Sequence, residues 1–212
     1  MKAVFFGDSV TEGFNSEVKF TQYLTQLKPN YEIVNYGVSG TTIGEYSIYP
    51  VDGNSLLSQI NRYKTDIKYA DYIFLEYGLN DVSAIMCGFA TIQTVIISLV
   101  KAVDWIKQLN PYAKIMFICI GSKNIMEYNA NSMCDYLQND YFGKFNFKFP
   151  KNKYMDIYSQ LLLEVDKICD KILLFDGVKI DEEIYKWYLS NDNLHPNADG
   201  HGKIALEISK YM

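Results

Sequence analysis

Two apolar patterns alternate along this chain. Five short, nearly continuous runs, residues 3–6, 32–36, 72–77, 114–120 and 171–175, are rich in Val, Ile, Phe or Tyr. None contains proline, and each is followed within a residue or two by glycine. Runs of this length suit strands buried on both faces of a parallel sheet. Between them, apolar residues recur at helical spacing: Phe20, Tyr23, Leu24 and Leu27, closed by Pro29; then Leu56, Leu57, Ile60, Tyr63 and Ile67. A broader stripe, Ile92, Val95, Ile96, Leu99, Val103 and Ile106, predicts the most buried helix. Tyr158, Leu161, Leu162, Val165 and Ile168 form a fourth, and Ile204, Leu206 and Ile208 a short terminal one. Strand and helix alternate throughout, which predicts a doubly wound α/β fold with right-handed crossovers. With no internal repeat, low-complexity tract or linker, residues 1–212 read as one domain.

One interval breaks the alternation. Residues 121–153, between the fourth strand and the fourth helix, show no clear period. Loops longer than ~12–15 residues are uncommon in compact domains unless they are functional. This one interleaves Tyr128, Tyr136, Tyr141, Phe142, Phe145, Phe147 and Phe149 with Lys144, Lys148 and Lys151. It leaves from a strand end, so it is expected either to lid a substrate pocket or to form an interface.

Composition narrows the partners. A net charge of -5 offers no basic footprint for nucleic acid, and a single arginine, Arg62, weakens any case for a phosphate clamp. Cys87, Cys119, Cys134 and Cys169 are widely spaced, and the chain holds only 2 histidines, so no metal or cofactor site is expected. Cys119 and Cys169 lie inside apolar patterns and read as core residues. No run reaches the length of a membrane span, and the first strand begins where a signal peptide would lie. Such a chain is expected in the cytoplasm, or outside the cell if a leader has been removed. Its oligomeric state is not legible.

The polar chemistry gathers at strand ends. The first run ends in Gly7-Asp8-Ser9, the second in Asn35-Tyr36-Gly37-Val38-Ser39-Gly40, and the third in Gly78-Leu79-Asn80-Asp81. After the fifth comes Asn191-Asp192-Asn193-Leu194-His195-Pro196. In a parallel sheet these ends share one edge, so residues distant in sequence converge there. Their types fit acyl transfer. Ser9 supplies a hydroxyl that needs a base, His195 can be that base because imidazole as a group titrates near neutrality, and Asp192 can accept the other imidazole N–H. The N–H groups of Ser9 and Gly37 and the Asn80 amide can together form an oxyanion hole. Each element has a plainer reading: Asn80-Asp81 as an Asx turn or helix cap, Gly37 and Gly40 as turn glycines, Asp8 as a helix cap. The second histidine, His201, reads as a surface or capping residue at the start of the last helix.

Taken together, the four blocks resemble those of the SGNH hydrolase superfamily, the GDSL-type lipases and esterases. The matching positions are Ser9 in Gly-Asp-Ser-Val, Gly37 in Asn-x-Gly-x-x-Gly, Asn80 in Gly-x-Asn-Asp and His195 in Asp-x-x-His-Pro, spanning residues 4–196. Val10 replaces the leucine of the nominal motif, away from the chemistry. The resemblance implies a three-layer flavodoxin-like sandwich around a five-stranded parallel sheet of order 2-1-3-4-5, with the switch point between strands one and three. It also implies a serine esterase without cofactor: Ser9 as nucleophile, His195 as base and acid, Asp192 as its orienting partner, and Ser9, Gly37 and Asn80 as oxyanion donors.

The substrate stays open within that class. Acetylated carbohydrates or small acetyl esters are favoured, with tyrosines around Tyr46, Tyr49, Tyr128 and Tyr141 as a conceivable sugar-stacking surface. Lysophospholipids and acyl thioesters are the lipid-like alternative, for which residues 83–89 would line an acyl pocket or simply lead into the third helix. Two other classes are a binding module that has lost its chemistry and a nucleotide-binding flavodoxin-like protein. The intact Ser9, Asp192 and His195 set argues against the first, and the acidic side chain after strand one against the second.

Overall fold

The computed structural model describes residues 1–46, 53–119, 151–174, 188–192 and 194–212. The chain runs β1 (Lys2–Gly7), α1 (Ser9–Glu12), α2 (Phe20–Leu27), β2 (Glu32–Gly37), α3 (Leu56–Arg62), α4 (Lys64–Lys68), β3 (Tyr72–Glu76) and α5 (Leu79–Met86). It continues through α6 (Ile92–Leu109), β4 (Lys114–Cys119), α7 (Lys151–Ile168), β5 (Lys171–Leu174) and α8 (Ala198–Ser209). All five strands are parallel, in the order β2-β1-β3-β4-β5. The expected α/β fold is therefore present, with the direction of winding reversing between β1 and β3.

Alternation along each strand divides the core into two layers, because successive side chains point to opposite faces. Val4 and Phe6 of β1, Ile73 and Leu75 of β3, and Ile115 and Phe117 of β4 meet one helical layer. That layer comes from Leu56 and Ile60 of α3, Ile67 of α4, Val95, Leu99 and Val103 of α6, and Leu161 and Val165 of α7. Ala3, Phe5, Phe74, Met116 and Ile118 face the other way, onto Phe20 and Leu24 of α2 and Ile204 and Ile208 of α8. Phe5 sits at the centre of this second layer, stacked on Phe74 at 4.5 Å and edge-on to Phe20 at 5.5 Å. Burying such a ring contributes about 2–3 kcal/mol.

The elements depart from the sequence pattern in instructive places. α1 and α5 carry no apolar period, since they are short and held by what surrounds them. The second predicted helix is two, α3 and α4, broken at Tyr63, whose ring lies flat on Tyr36 at 3.6 Å. β2 is only half-buried along its length, because as an edge strand it has a neighbour on one side only. α7 starts at Lys151, inside the interval expected to be loop; residues 121–150 of that interval lie outside the described residues. Among the described residues, no helix is long and apolar enough to cross a membrane, and no group of His, Cys, Asp or Glu is placed to hold a metal ion.

His201 is the clearest correction. It is fully buried in α8, with its ring stacked on Phe20 at 5.9 Å, rather than exposed or capping. The cap belongs to Asn197, whose side chain accepts the Gly200 N–H at 3.0 Å. Neither ring nitrogen of His201 has a partner among the described residues. Burial pushes its pKa down to about 4, with the charges of His195 and Lys19 acting in the same direction. A histidine depressed on folding stabilises fully above its unfolded pKa and loses that contribution as pH falls through the window from about 6.5 toward 4. Urea unfolding at pH 7.5 and pH 5 is therefore expected to show wild type losing about 2 kcal/mol more than His201→Leu. Equal losses in both proteins would exclude a buried neutral imidazole.

Candidate active site

The first turn after β1 is built by a cap. Asp8 accepts the Val10 N–H at 3.0 Å through Oδ1, which starts α1 with Ser9 as its first helical residue. This is the capping role expected of Asp8. The helix lasts one turn and closes at Gly13, whose N–H reaches the Ser9 carbonyl at 3.0 Å. Glu12 then ties α1 to the loop after β2, accepting the Ser39 N–H at 2.7 Å and also its hydroxyl.

The loop before α8 comes to meet this turn. Residues 188–192 and 194–197 are drawn together by the bridge between Leu189 and Pro196 and the Ser190 N–H bond to the His195 carbonyl at 2.8 Å. Asp192 closes an Asx turn within it, Oδ1 accepting the N–H groups of Leu194 and His195, both at 3.0 Å. Its Oδ2 lies 2.6 Å from His195 Nδ1, and His195 Nε2 lies 2.8 Å from Ser9 Oγ. Burial works to raise the Asp192 pKa, but the bonds from His195 and Leu194 outweigh it and hold the carboxyl well below the usual carboxylate range. Three residues up to 186 positions apart thus form one hydrogen-bonded series.

Asn80 approaches from the other side of the β1–β3 crevice, as the second residue of α5. It is buried, and its amide Nδ2 lies 3.2 Å from Asp8 Oδ2 and 3.1 Å from the Thr41 carbonyl. The next residue, Asp81, accepts the Ile43 N–H at 3.0 Å and the Tyr46 hydroxyl at 2.9 Å, so α5 also fixes the loop after β2. Tyr46 is thereby turned inward and is no stacking platform; Tyr49, Tyr128 and Tyr141 lie outside the described residues. Ser83, Ala84 and the half-buried Ile85 and Met86 belong to α5 and Cys87 caps its end, and the apolar ones pack toward Tyr154, Tyr158 and Leu194.

Gly37 does not join this group. Its N–H donates to Asn35 Oδ1 at 2.8 Å, and a Cβ there would lie 2.2 Å from the Glu12 nitrogen. Its lack of a side chain serves the close approach of β2 to α1, and its donor is not offered at the serine. Gly40, three residues on and with φ of 75°, leads directly into the Thr41 carbonyl that touches Asn80.

The model of the GDSL-like lipase/acylhydrolase family matches residues 5–203. The chain belongs to this family. It is therefore a hydrolase of ester bonds. No curated protein sequence matches it. Among solved structures, a lipase from a goat rumen metagenome superposes with a TM-score of 0.66 at 14% identity, covering 99% of this chain and 96% of that one. An acetyl xylan esterase gives 0.60 at 18%, with 100% of both chains covered. A family 3 carbohydrate esterase of Clostridium thermocellum gives 0.57 at 16%, covering 99% and 94%. At these identities the likeness is one of fold.

Beneath the serine, this GDSL-like hydrolase buries a pair of acids that the sequence pattern did not reveal. Glu76, at the end of β3, lies within hydrogen-bonding reach of the Asp8 carboxyl and accepts the Thr11 hydroxyl at 3.0 Å. Both are almost wholly buried, at 2% and 3% exposure for Asp8 and Glu76. Burial pushes both pKa values up, Glu76 the further because the Asp8 charge adds to it. Two touching buried carboxyls do not both ionise, so Glu76 keeps the proton. Glu76→Gln, which conserves shape and neutrality, is expected to change the unfolding free energy by less than about 1 kcal/mol. Glu76→Ala leaves a cavity and strips Asp8 and Thr11 of a partner, an expected loss of about 3 kcal/mol. Urea titrations at pH 7 measure both, and equal losses would mean that Glu76 is ionised.

Proposed function

We propose that this hydrolase is a serine esterase that removes acetyl groups from carbohydrate or other small acetyl esters through an acyl-serine intermediate. The observation that carries the reading is the series Ser9 Oγ, His195 Nε2, His195 Nδ1 and Asp192 Oδ2, spaced at 2.8 and 2.6 Å. His195 takes the Ser9 proton as Oγ attacks the ester carbonyl, giving a tetrahedral oxyanion. It then returns the proton to the departing alcohol, leaving an acyl-serine. Water, deprotonated by the same imidazole, attacks that acyl group and releases the acid and free Ser9. Asp192 fixes the imidazole tautomer and balances its positive charge in both steps.

The oxyanion is received by the Ser9 N–H at the start of α1 and by Asn80 Nδ2 across the crevice, whose hydrogens rest on Asp8 Oδ2 and the Thr41 carbonyl until the oxyanion takes one of them. The glycine of the hole is Gly40 in this reading, because its turn leads directly into the Thr41 carbonyl that meets the Asn80 amide. Carbohydrate as the alcohol part is favoured by the acetyl xylan esterase and carbohydrate esterase among the structures of like fold. It is favoured also by Phe14, whose ring meets His195 edge-on at 5.0 Å and stays 46% exposed. His195 protonates the leaving alcohol, so Phe14 stands on the side where a sugar ring would stack.

Ser9→Ala is expected to lower kcat at least about 10³-fold with an unchanged Tm, and Asn80→Ala by about 10²–10³-fold. Retained turnover in clean Ser9→Ala protein would sink the nucleophile. For the substrate, p-nitrophenyl acetate, butyrate and octanoate are compared with acetylated xylan. Acetate is expected to exceed butyrate by about tenfold or more. Fastest turnover of octanoate would replace the carbohydrate reading with a lipid-like one.

A further inference from the structure

The segment just beyond α1 touches all three members of the hydrogen-bonded series. The Ser9 carbonyl accepts the N–H groups of Gly13 and Phe14, at 3.0 and 2.9 Å. The Phe14 ring abuts His195. Asn15 Nδ2 lies 2.7 Å from Asp192 Oδ2, the same oxygen that faces His195 Nδ1, across 177 residues of sequence. The main chain of Asn15 grips the same loop, its carbonyl accepting the Ser190 hydroxyl at 2.9 Å. Ser190 in turn bonds the His195 carbonyl at 2.8 Å.

Asn15 also stands out by its backbone. Its φ of 59° makes it the one non-glycine residue in the left-handed region among the described residues. Asparagine tolerates that region better than most side chains, yet it remains uncommon. Without that conformation the amide would not project onto Asp192. Strained or unusual backbone concentrates at functional sites, and here it aims a donor at a carboxylate that already carries three others.

We propose that Asn15 is a positioning residue for the esterase: it locks the Asp192 carboxylate in the plane that serves His195 and thereby fixes the base relative to Ser9. The role rests on the serine-esterase reading above. With Asn15 in place each carboxylate oxygen accepts two donors, so rotation of the group breaks bonds on both sides. The amide also draws charge from Oδ2, which weakens the hold of Asp192 on the imidazolium proton. Other ionisable groups facing His195 are Asp8 on the nucleophile turn, backed by Glu76, and His201 on α8.

Two variants separate backbone from side chain. Asn15→Gly accepts the positive φ and deletes only the amide, whereas Asn15→Asp keeps shape and backbone but replaces the donor with a second negative charge. Asn15→Gly is expected to lower kcat on p-nitrophenyl acetate about tenfold, with KM within about twofold and Tm unchanged. Asn15→Asp is expected to move the acid limb of the kcat/KM profile up by about half a pH unit or more. A kcat within about twofold of wild type for Asn15→Gly, with an unmoved acid limb for Asn15→Asp, overturns the role. Labelling of Ser9 by a fluorophosphonate in wild type keeps that result distinct from failure of the esterase reading. A wild type neither labelled nor active overturns both.

Discussion

The functional edge depends on how closely α1 can sit on the ends of β1 and β2. Gly7 and Gly37 are opposite each other in register, and a Cβ on either would strike α1, 2.1 Å from Thr11 Oγ1 at Gly7 and 2.2 Å from the Glu12 nitrogen at Gly37. With both side chains absent, the helix drops onto the strand ends and is fastened there. Asn35 donates to the Thr11 carbonyl at 2.7 Å and Glu12 holds Ser39. Ser9 is thereby delivered into the crevice where the sheet reverses its winding, opposite Asn80. A bulkier residue at either glycine would lift the Ser9 turn before it altered any group at the site.

That closeness makes the edge electrostatically demanding. Asp8, Glu76 and Asp81 are all nearly inaccessible, and burying a carboxylate is unfavourable unless it is neutralised or well bonded. The three meet this differently. Asp8 and Glu76 lean on one another and on the Val10 N–H and Thr11 hydroxyl. Asp81 is pushed up to about 7 by burial, partly offset by the Ile43 N–H and the Tyr46 hydroxyl. Asp192, by contrast, is partly exposed and saturated with donors, which keeps it ionised beside His195. One edge of one sheet thus holds neutral and charged acids side by side, and it is placed between two apolar layers that supply the stabilisation such an arrangement needs.

Local pattern made much of this legible. The strands were readable because parallel strands buried between two layers must be apolar almost throughout, and only the edge strand β2 departs from that. The helices with an apolar stripe were readable for the same reason, whereas α1 and α5 were not, being held by caps and cross-chain bonds. Ser9, Asn80, Asp192 and His195 could be picked out because their types suit one reaction and each follows a strand or closes the chain's last loop. Asn15 carried no such mark: an asparagine after Gly-Phe reads as loop, and its partner is 177 positions away.

By itself, then, the sequence determined the five strands, the helices with an apolar stripe, the family and the residue types gathered at the carboxyl edge, because these are written in short-range periodicity and in motifs of a few residues. Only the tertiary structure decided which of two neighbouring glycines packs and which adjoins Asn80. It alone placed His201 inside the core, paired Asp8 with Glu76, and set Asn15 against Asp192. Each of those outcomes turns on where one backbone passes another, and no local pattern records the distance between segments brought together only by folding.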